Sequence, residues 1–221
     1  VLVLFTGRAL TLSWEAENIS SILNVWFGGT ESALAIADVL FGDVNPSGKL
    51  PVTFPQHVGQ IPLFYNYKNT GRPLADGHWF EKFRSNYLDV SNEPLYPFGY
   101  GLSYSSFEYS DIMLSQSEIT NDEEIVATIT LTNKGNYEGE EVVQLYIRDL
   151  VGSVTRPVKE LKDFKRVHLA AGEQKDVSFT INSEMLKFYN YDLDFVNEPG
   201  EFDLMIGGKS RDVKVTRFVL K

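Results

Sequence analysis

Cysteine is absent from all 221 residues, which excludes a disulfide framework, a thiolate metal site and a thiol nucleophile. Histidine is nearly absent too. His57, His78 and His168 lie far apart, and none has a second ligand two to four residues away, so no metal site is expected. No apolar run approaches the ~18 residues that a membrane-crossing helix needs, and no basic start leads into an apolar stretch and a cleavage site. Basic charge is scarce, with 20 Lys and Arg against 30 Asp and Glu. The resulting net charge of −10 argues against nucleic acid or an anionic membrane as partner. There is no G-x-S-x-G elbow, phosphate loop or dinucleotide fingerprint, and nothing calls for a cofactor.

What is present is an ordinary globular composition, 43% hydrophobic and 23% charged. A chain this long can bury roughly 70% of its unfolded surface, in one large or two small domains. Its first residues, Val1 to Phe5, read as a strand buried on both faces with no turn or polar lead before it, so the chain is expected to be a piece of a longer polypeptide. Further short strands are expected at Leu10 to Trp14, Ile22 to Phe27 and Leu50 to Phe54. Trp14 and Trp26 read as core residues beside them.

Between these strands lies the stretch on which a function can be hung. Gly28 and Gly29 precede Thr30, a good helix cap, and Ala33, Ile36, Ala37 and Leu40 then fall on one helical face as far as Phe41, with Gly42 as a natural stop. Glu31 therefore sits at the mouth of a helix, on a flexible glycine turn. A carboxylate so placed can project from its domain as a reactive group. It can also be a first-turn acid complementing the helix dipole, and the residues alone leave both open. Asp38 and Asp43 read as solvated or capping groups, and Glu138, Glu140 and Glu141 as a solvated charge run.

From Gln56 to Pro97 the period is lost and Gly, Pro, Asn and aromatic residues dominate. Tyr65, Tyr67, Trp79, Phe80, Phe83 and Tyr87 offer either stacking faces for sugar rings or wedges that hold a long loop on its domain. After Tyr104 the pattern turns to strands of period two. Ile125, Ala127, Ile129 and Leu131 alternate with Val126, Thr128, Thr130 and Thr132. Val143, Leu145 and Ile147 alternate with Gln144 and Tyr146, and Val177, Phe179 and Ile181 with Ser178 and Thr180. Phe202, Leu204, Ile206, Val213 and Val215 complete the set. The connectors 133–136, 171–173 and 207–209 read as hairpin and turn chemistry. About seven such strands in roughly 115 residues indicate a two-sheet β-sandwich.

The phrase WFGGTESALAIADVLFGDVNPSGKLPVTFP, from Trp26 to Pro55, resembles the segment of glycoside hydrolase family 3 that carries the catalytic acid/base. Other phrases resemble the family's landmarks in the family's order: Phe5 to Leu10, Asn69 to Pro73, Leu95 to Tyr104, and Arg156 to Lys162. They span nearly the whole chain, and the likeness is greatest to the bacterial β-glucosidases.

The resemblance implies an α/β partial three-layer sandwich at residues 1–104, the C-terminal half of the family's second domain, including the long loop 56–97. It implies an all-β fibronectin type III-like sandwich at residues 105–221. It further implies that Glu31 is the general acid/base of a retaining exo-β-glycosidase acting on β-glucosides or β-linked oligosaccharides. The nucleophile is then an aspartate on a (β/α)8 barrel that is not in this chain. Retaining hydrolysis needs two carboxyl groups about 5–5.5 Å apart, so this chain holds one half of the pair. A helix N-terminus favours the ionised form of Glu31, and the burial that lets an acid keep its proton has to come from the barrel. Trp26 is expected to buttress the turn that aims Glu31. In the long loop Asn86 stands before Tyr87, where the family often has Arg or Lys, so no substrate contact is assigned there. Family precedent also implies a periplasmic or secreted protein. A non-catalytic carbohydrate-binding or scaffolding module is the alternative, since fibronectin-like sandwiches often serve as spacers.

Overall fold

The structure, a computed structural model, describes residues 1–74 and 78–221. Strand β1 (Leu2–Leu4) pairs in parallel with β2 (Ile22–Asn24), and helices α1 (Ser13–Asn18) and α2 (Ser32–Phe41) follow β1 and β2 respectively. Leu12, Phe54 and Pro55 are the buried apolar residues among those described in 1–104. Two parallel strands cannot bury both faces, so the continuous apolar run at the N-terminus ends up half-buried, with Phe5 exposed.

Several expectations for this half are corrected. Leu10 to Trp14 is not a strand: the good helix formers Glu15, Ala16 and Glu17 draw the segment into α1, and Trp14, expected in the core, is 65% exposed. Strand β2 stops at Asn24, because Trp26 takes a left-handed backbone conformation (φ 51°) that no strand accommodates. Leu50 to Phe54 forms no strand of its own. Its backbone bonds to residues 95–100 (Leu50 N to Tyr100 O and Gly99 N to Leu50 O, both 2.8 Å), but Pro51 and Pro97 lack the donors a ladder needs, and one bridge, Phe54 to Tyr96, survives.

The rest is a β-sandwich. Its first sheet has β6 (Ile125–Asn133) at the centre, with β3 (Phe107–Tyr109) and β4 (Met113–Leu114) end to end along one edge and β9 (Gln174–Ile181) on the other. The second sheet runs β5 (Glu118–Ile119), β13 (Asp212–Leu220), β12 (Gly200–Lys209), β7 (Gly139–Asp149) and β8 (Glu160–Leu169). A short hairpin, β10 (Phe188–Tyr189) with β11 (Phe195–Val196), stands apart. The inward residues of the two sheets form one core that includes Ile129, Leu131, Leu145 and Phe179, with Phe202 and Phe218 stacked at 5.3 Å.

The connectors differ from the expected hairpins. Residues 133–136 carry the chain from β6 in one sheet to β7 in the other, and 171–173 carry it back from β8 to β9. Residues 207–209 lie inside β12, and the hairpin turn is at Ser210 and Arg211. Strand β8 was not anticipated. Its apolar residues are irregularly spaced: a bulge at Lys162, where Tyr146 faces Leu161 and Leu145 faces Asp163, puts Leu161 and Phe164 on one face, and Val167 lies on the other.

The two halves are tied by buried polar contacts. Strand β7 is covered on its outer side as well, where Gln144 donates to Gly208 O at 2.6 Å and reaches Gly99 O at 3.4 Å, and Tyr65 stacks on Phe98 at 4.3 Å. Gly99 must be glycine: its φ is +79°, and a Cβ would sit 2.2 Å from the Gln144 amide oxygen. Glu141, expected in a solvated run, is instead only 5% exposed and grips Lys49 Nζ with both oxygens at 3.0 Å. Burial and this carboxylate, which accepts from the Tyr109 hydroxyl at 2.9 Å, push that hydroxyl well above its ordinary value.

Two stability changes are expected in chemical denaturation of this chain. Leu145→Ala, at the centre of the core, should cost about 2–5 kcal/mol, and Glu141→Ala, which strands the Lys49 ammonium, about 3–5 kcal/mol. A loss below ~1 kcal/mol for Glu141→Ala would mean that Lys49 swings out to water.

Candidate active site

The functional reading concentrates at the carboxyl ends of β1 and β2, the edge of a parallel sheet where ligands gather. There Thr6 Oγ1 donates to Asn24 Oδ1 at 2.8 Å, holding the two strand ends together. The Asn24 amide nitrogen is buried and has no partner. Sequence reasoning missed this pair, although a polar residue closing an apolar strand is its visible sign.

The chain then turns sharply. Trp26, half-buried, sets its ring edge-on against Phe54 at 5.9 Å, consistent with a supporting part. Phe27 lies over Gly7, where a Cβ would come within 2.8 Å of the ring, yet Phe27 is 86% exposed. Gly28 and Gly29 serve different needs. A Cβ on Gly28 would stand 2.3 Å from Ser32 Cβ, whereas Gly29 has open space and needs glycine for its φ of +69°.

Helix α2 begins at Ser32, and its cap residue is Glu31, one position after the expected Thr30. The Glu31 side chain makes no capping bond; its backbone carbonyl accepts from Ala35 N at 3.1 Å. The carboxylate is therefore exposed with no ion pair or hydrogen bond among the described residues. The helix stops as expected at Gly42, left-handed at φ +88°, whose N–H reaches the carbonyls of Asp38 and Val39. The apolar face expected at Ala33, Ile36, Ala37 and Leu40 is only partly covered, with Ile36 and Ala37 half-buried and Ala33 and Leu40 exposed. No residue of α2 is buried, and Leu34 and Phe41 are exposed as well.

No rival centre forms elsewhere among the described residues. Asp43 is exposed at the helix end, and no group of three metal-capable side chains assembles. His57 caps a short turn by accepting from Gly59 N at 3.0 Å, and His168 lies beside Glu138 on the surface. The long loop does partly wedge itself in place: Tyr65 packs on Phe98 and Tyr146 and accepts from Leu161 N, and Tyr87 donates to Gln60 O. Trp79, Phe80 and Phe83 remain exposed. A cleft of about 880 Å³ opens between this loop and the outer face of the second sheet, lined by Phe64, Tyr67, Tyr87, Arg148 and Asp203 among others. Among the described residues Asp203 is its one carboxylate, taken up by Arg217 at 3.0 Å, so those residues bring no acid/base pair together in the cleft.

Residues 1–104 match the family description "Glycosyl hydrolase family 3 C-terminal domain", and residues 141–210 match "Fibronectin type III-like domain". A periplasmic beta-glucosidase of Salmonella typhimurium is 50% identical over 220 residues, which is 100% of this chain and 29% of that protein. A putative beta-xylosidase of Formosa agariphila is 46% identical over 100% of this chain and 28% of its own length. The crystal structure of a beta-glucosidase from Listeria innocua superposes with a TM-score of 0.95 at 45% identity, over 100% of this chain and 30% of that one. The chain thus spans less than a third of the relatives it matches.

The Trp26→Ala change removes an edge-to-face pair worth about 0.5–1.5 kcal/mol beyond its buried area. Amide hydrogen exchange across residues 26–31 is expected to quicken. Unchanged exchange there would remove Trp26 as the support of the turn.

Proposed function

Because this chain belongs to glycoside hydrolase family 3, as the C-terminal part of such an enzyme, we propose that it supplies the general acid/base, Glu31, of a retaining exo-β-glycosidase that releases terminal β-D-glucosyl residues. Residues 1–104 then complete an α/β sandwich begun elsewhere in the polypeptide, and residues 105–221 are the fibronectin-like domain. One observation carries the reading: Glu31 projects, with no partner among the described residues, from a glycine turn at the carboxyl edge of a sheet that among those residues is only two strands wide. Phe5, Trp14, Phe27, Leu34 and Phe41 stand exposed on the same half, which is how a surface looks when its covering is on another segment.

The chemistry follows from one carboxyl group acting twice. Protonated Glu31 gives its proton to the glycosidic oxygen as the bond breaks, and the departing sugar or aglycone leaves neutral. The glucosyl group passes to an aspartate on the (β/α)8 barrel, which this chain does not contain. Glu31, now a carboxylate, takes a proton from water as the water attacks the glucosyl-enzyme, restoring both carboxyl groups and retaining the β configuration. Closure by barrel and substrate supplies the burial needed for the proton to be held in the first step. Water is the second substrate, and the residues here call for no cofactor. A periplasmic or secreted location fits the similarity to the periplasmic beta-glucosidase of Salmonella typhimurium. The β-xylosidases among the relatives make a pentoside the second substrate class to assay.

Two outcomes are expected with an aryl β-glucoside. The chain alone should be inert, and in the whole protein Glu31→Gln should lower kcat/KM for a poorly activated leaving group by about 100- to 10,000-fold. Wild-type turnover by the Glu31→Gln protein would reject the assignment. A non-catalytic carbohydrate-binding module would instead bind glucosides in the whole protein without ever cleaving them.

A further inference from the structure

We propose that Asn45, Lys49 and Glu141 are positioning residues for Glu31, and that the β-sandwich holds the catalytic helix at its far end. This rests on Glu31 being the acid/base. Helix α2 has no fully buried side chain, its apolar cover reaching only the half-buried Ile36 to Val39, so within this chain its firmest ties are at its ends. At the C-terminal end the ties are dense. Val44 N bonds to Asp38 O at 3.1 Å, closing the chain back on the helix, and the Tyr104 hydroxyl donates to Val39 O.

The segment that follows then bonds the start of β7 with every second residue. Asn45 donates through Nδ2 to Glu138 O at 2.7 Å, while its Oδ1 accepts from Ser103 Oγ and Tyr104 N, both at 2.8 Å. Ser47 donates to Glu140 Oε2 at 3.3 Å, and Lys49 holds both oxygens of Glu141 at 3.0 Å. Positions 45, 47 and 49 thus tie this strip of chain to residues 138, 140 and 141. The receiving side is equally fixed: Tyr109 donates to Glu141 Oε1 at 2.9 Å, and Gly208 leaves no room for a Cβ beside it, at 2.5 Å from that oxygen. Between Gly42 and Lys49 the chain therefore has little freedom, and a shift of β7 against the strip becomes a rotation of α2 and a displacement of the Glu31 carboxyl.

A displaced general acid leaves a signature that general loss of structure does not. Poorly activated glucosides need protonation to leave; dinitrophenyl glucoside does not. In the whole protein, Lys49→Met is expected to lower kcat/KM for phenyl glucoside by about 10- to 100-fold, the scale of a misplacement near 1 Å, and to leave dinitrophenyl glucoside close to wild type. Asn45→Ala, which strands no buried charge, carries the same test if Lys49→Met folds poorly. Glu31→Ala serves as the reference and should show the same split, enlarged. An equal fall for both substrates, or no fall for either, in both Lys49→Met and Asn45→Ala overturns the proposal while the role of Glu31 stands. Absence of the split in Glu31→Ala removes the acid/base reading, and the proposal with it.

Discussion

The constraint on which everything else depends is that a pair of parallel strands cannot bury its own faces. Strands β1 and β2 carry a sequence written for a sheet covered on both sides, yet among the described residues of the first 104 the buried apolar residues are Leu12, Phe54 and Pro55. The sandwich supplies nearly all of the hydrophobic core, from Ile119 to Leu220. On the proposed function, stability and chemistry are thus divided. One half folds on its own inward-facing residues, and the other displays Glu31 on a turn that no described residue of this chain covers.

That division explains the polar joint between the halves. Beside the Tyr65 ring packed on Tyr146, the connection is made by groups with fixed directions: the Lys49–Glu141 pair, the Asn45 amide and the Gln144 amide under Gly99. A buried ion pair is a weak source of net stability, because desolvation offsets most of the attraction, but its geometry is demanding. Such a joint trades energy for orientation, which is what a carboxylate at the end of a ten-residue helix requires.

The sandwich was legible because period two with one buried face is the plainest pattern a sequence can carry. Ile125 to Leu131 lie as read, alternate residues buried. What escaped reading did so for local reasons. The bulge at Lys162 shifts the phase of β8 and breaks its period of two. Turn residues at 133–136 and 171–173 announce a change of direction but not a change of sheet. Leu10, Leu12 and Trp14 alternate like a strand, and the helix formers after them prevail. At the site, the glycine turn and the exposed Glu31 were visible in sequence, whereas Glu141 was not: its partner lies 92 residues away, and beside Glu138 and Glu140 it looks like one more surface charge.

The central claim is that Glu31 is one member of a two-carboxyl retaining centre whose other member lies outside this chain. The most direct measurement is the anomeric configuration of the glucosyl azide formed when the whole protein carrying Glu31→Ala turns over an activated glucoside in the presence of azide. With the acid/base gone and the nucleophile intact, azide attacks the glucosyl-enzyme from the vacated side, and the account predicts β-glucosyl azide. Formation of α-glucosyl azide, or wild-type hydrolysis with no azide adduct, would contradict it.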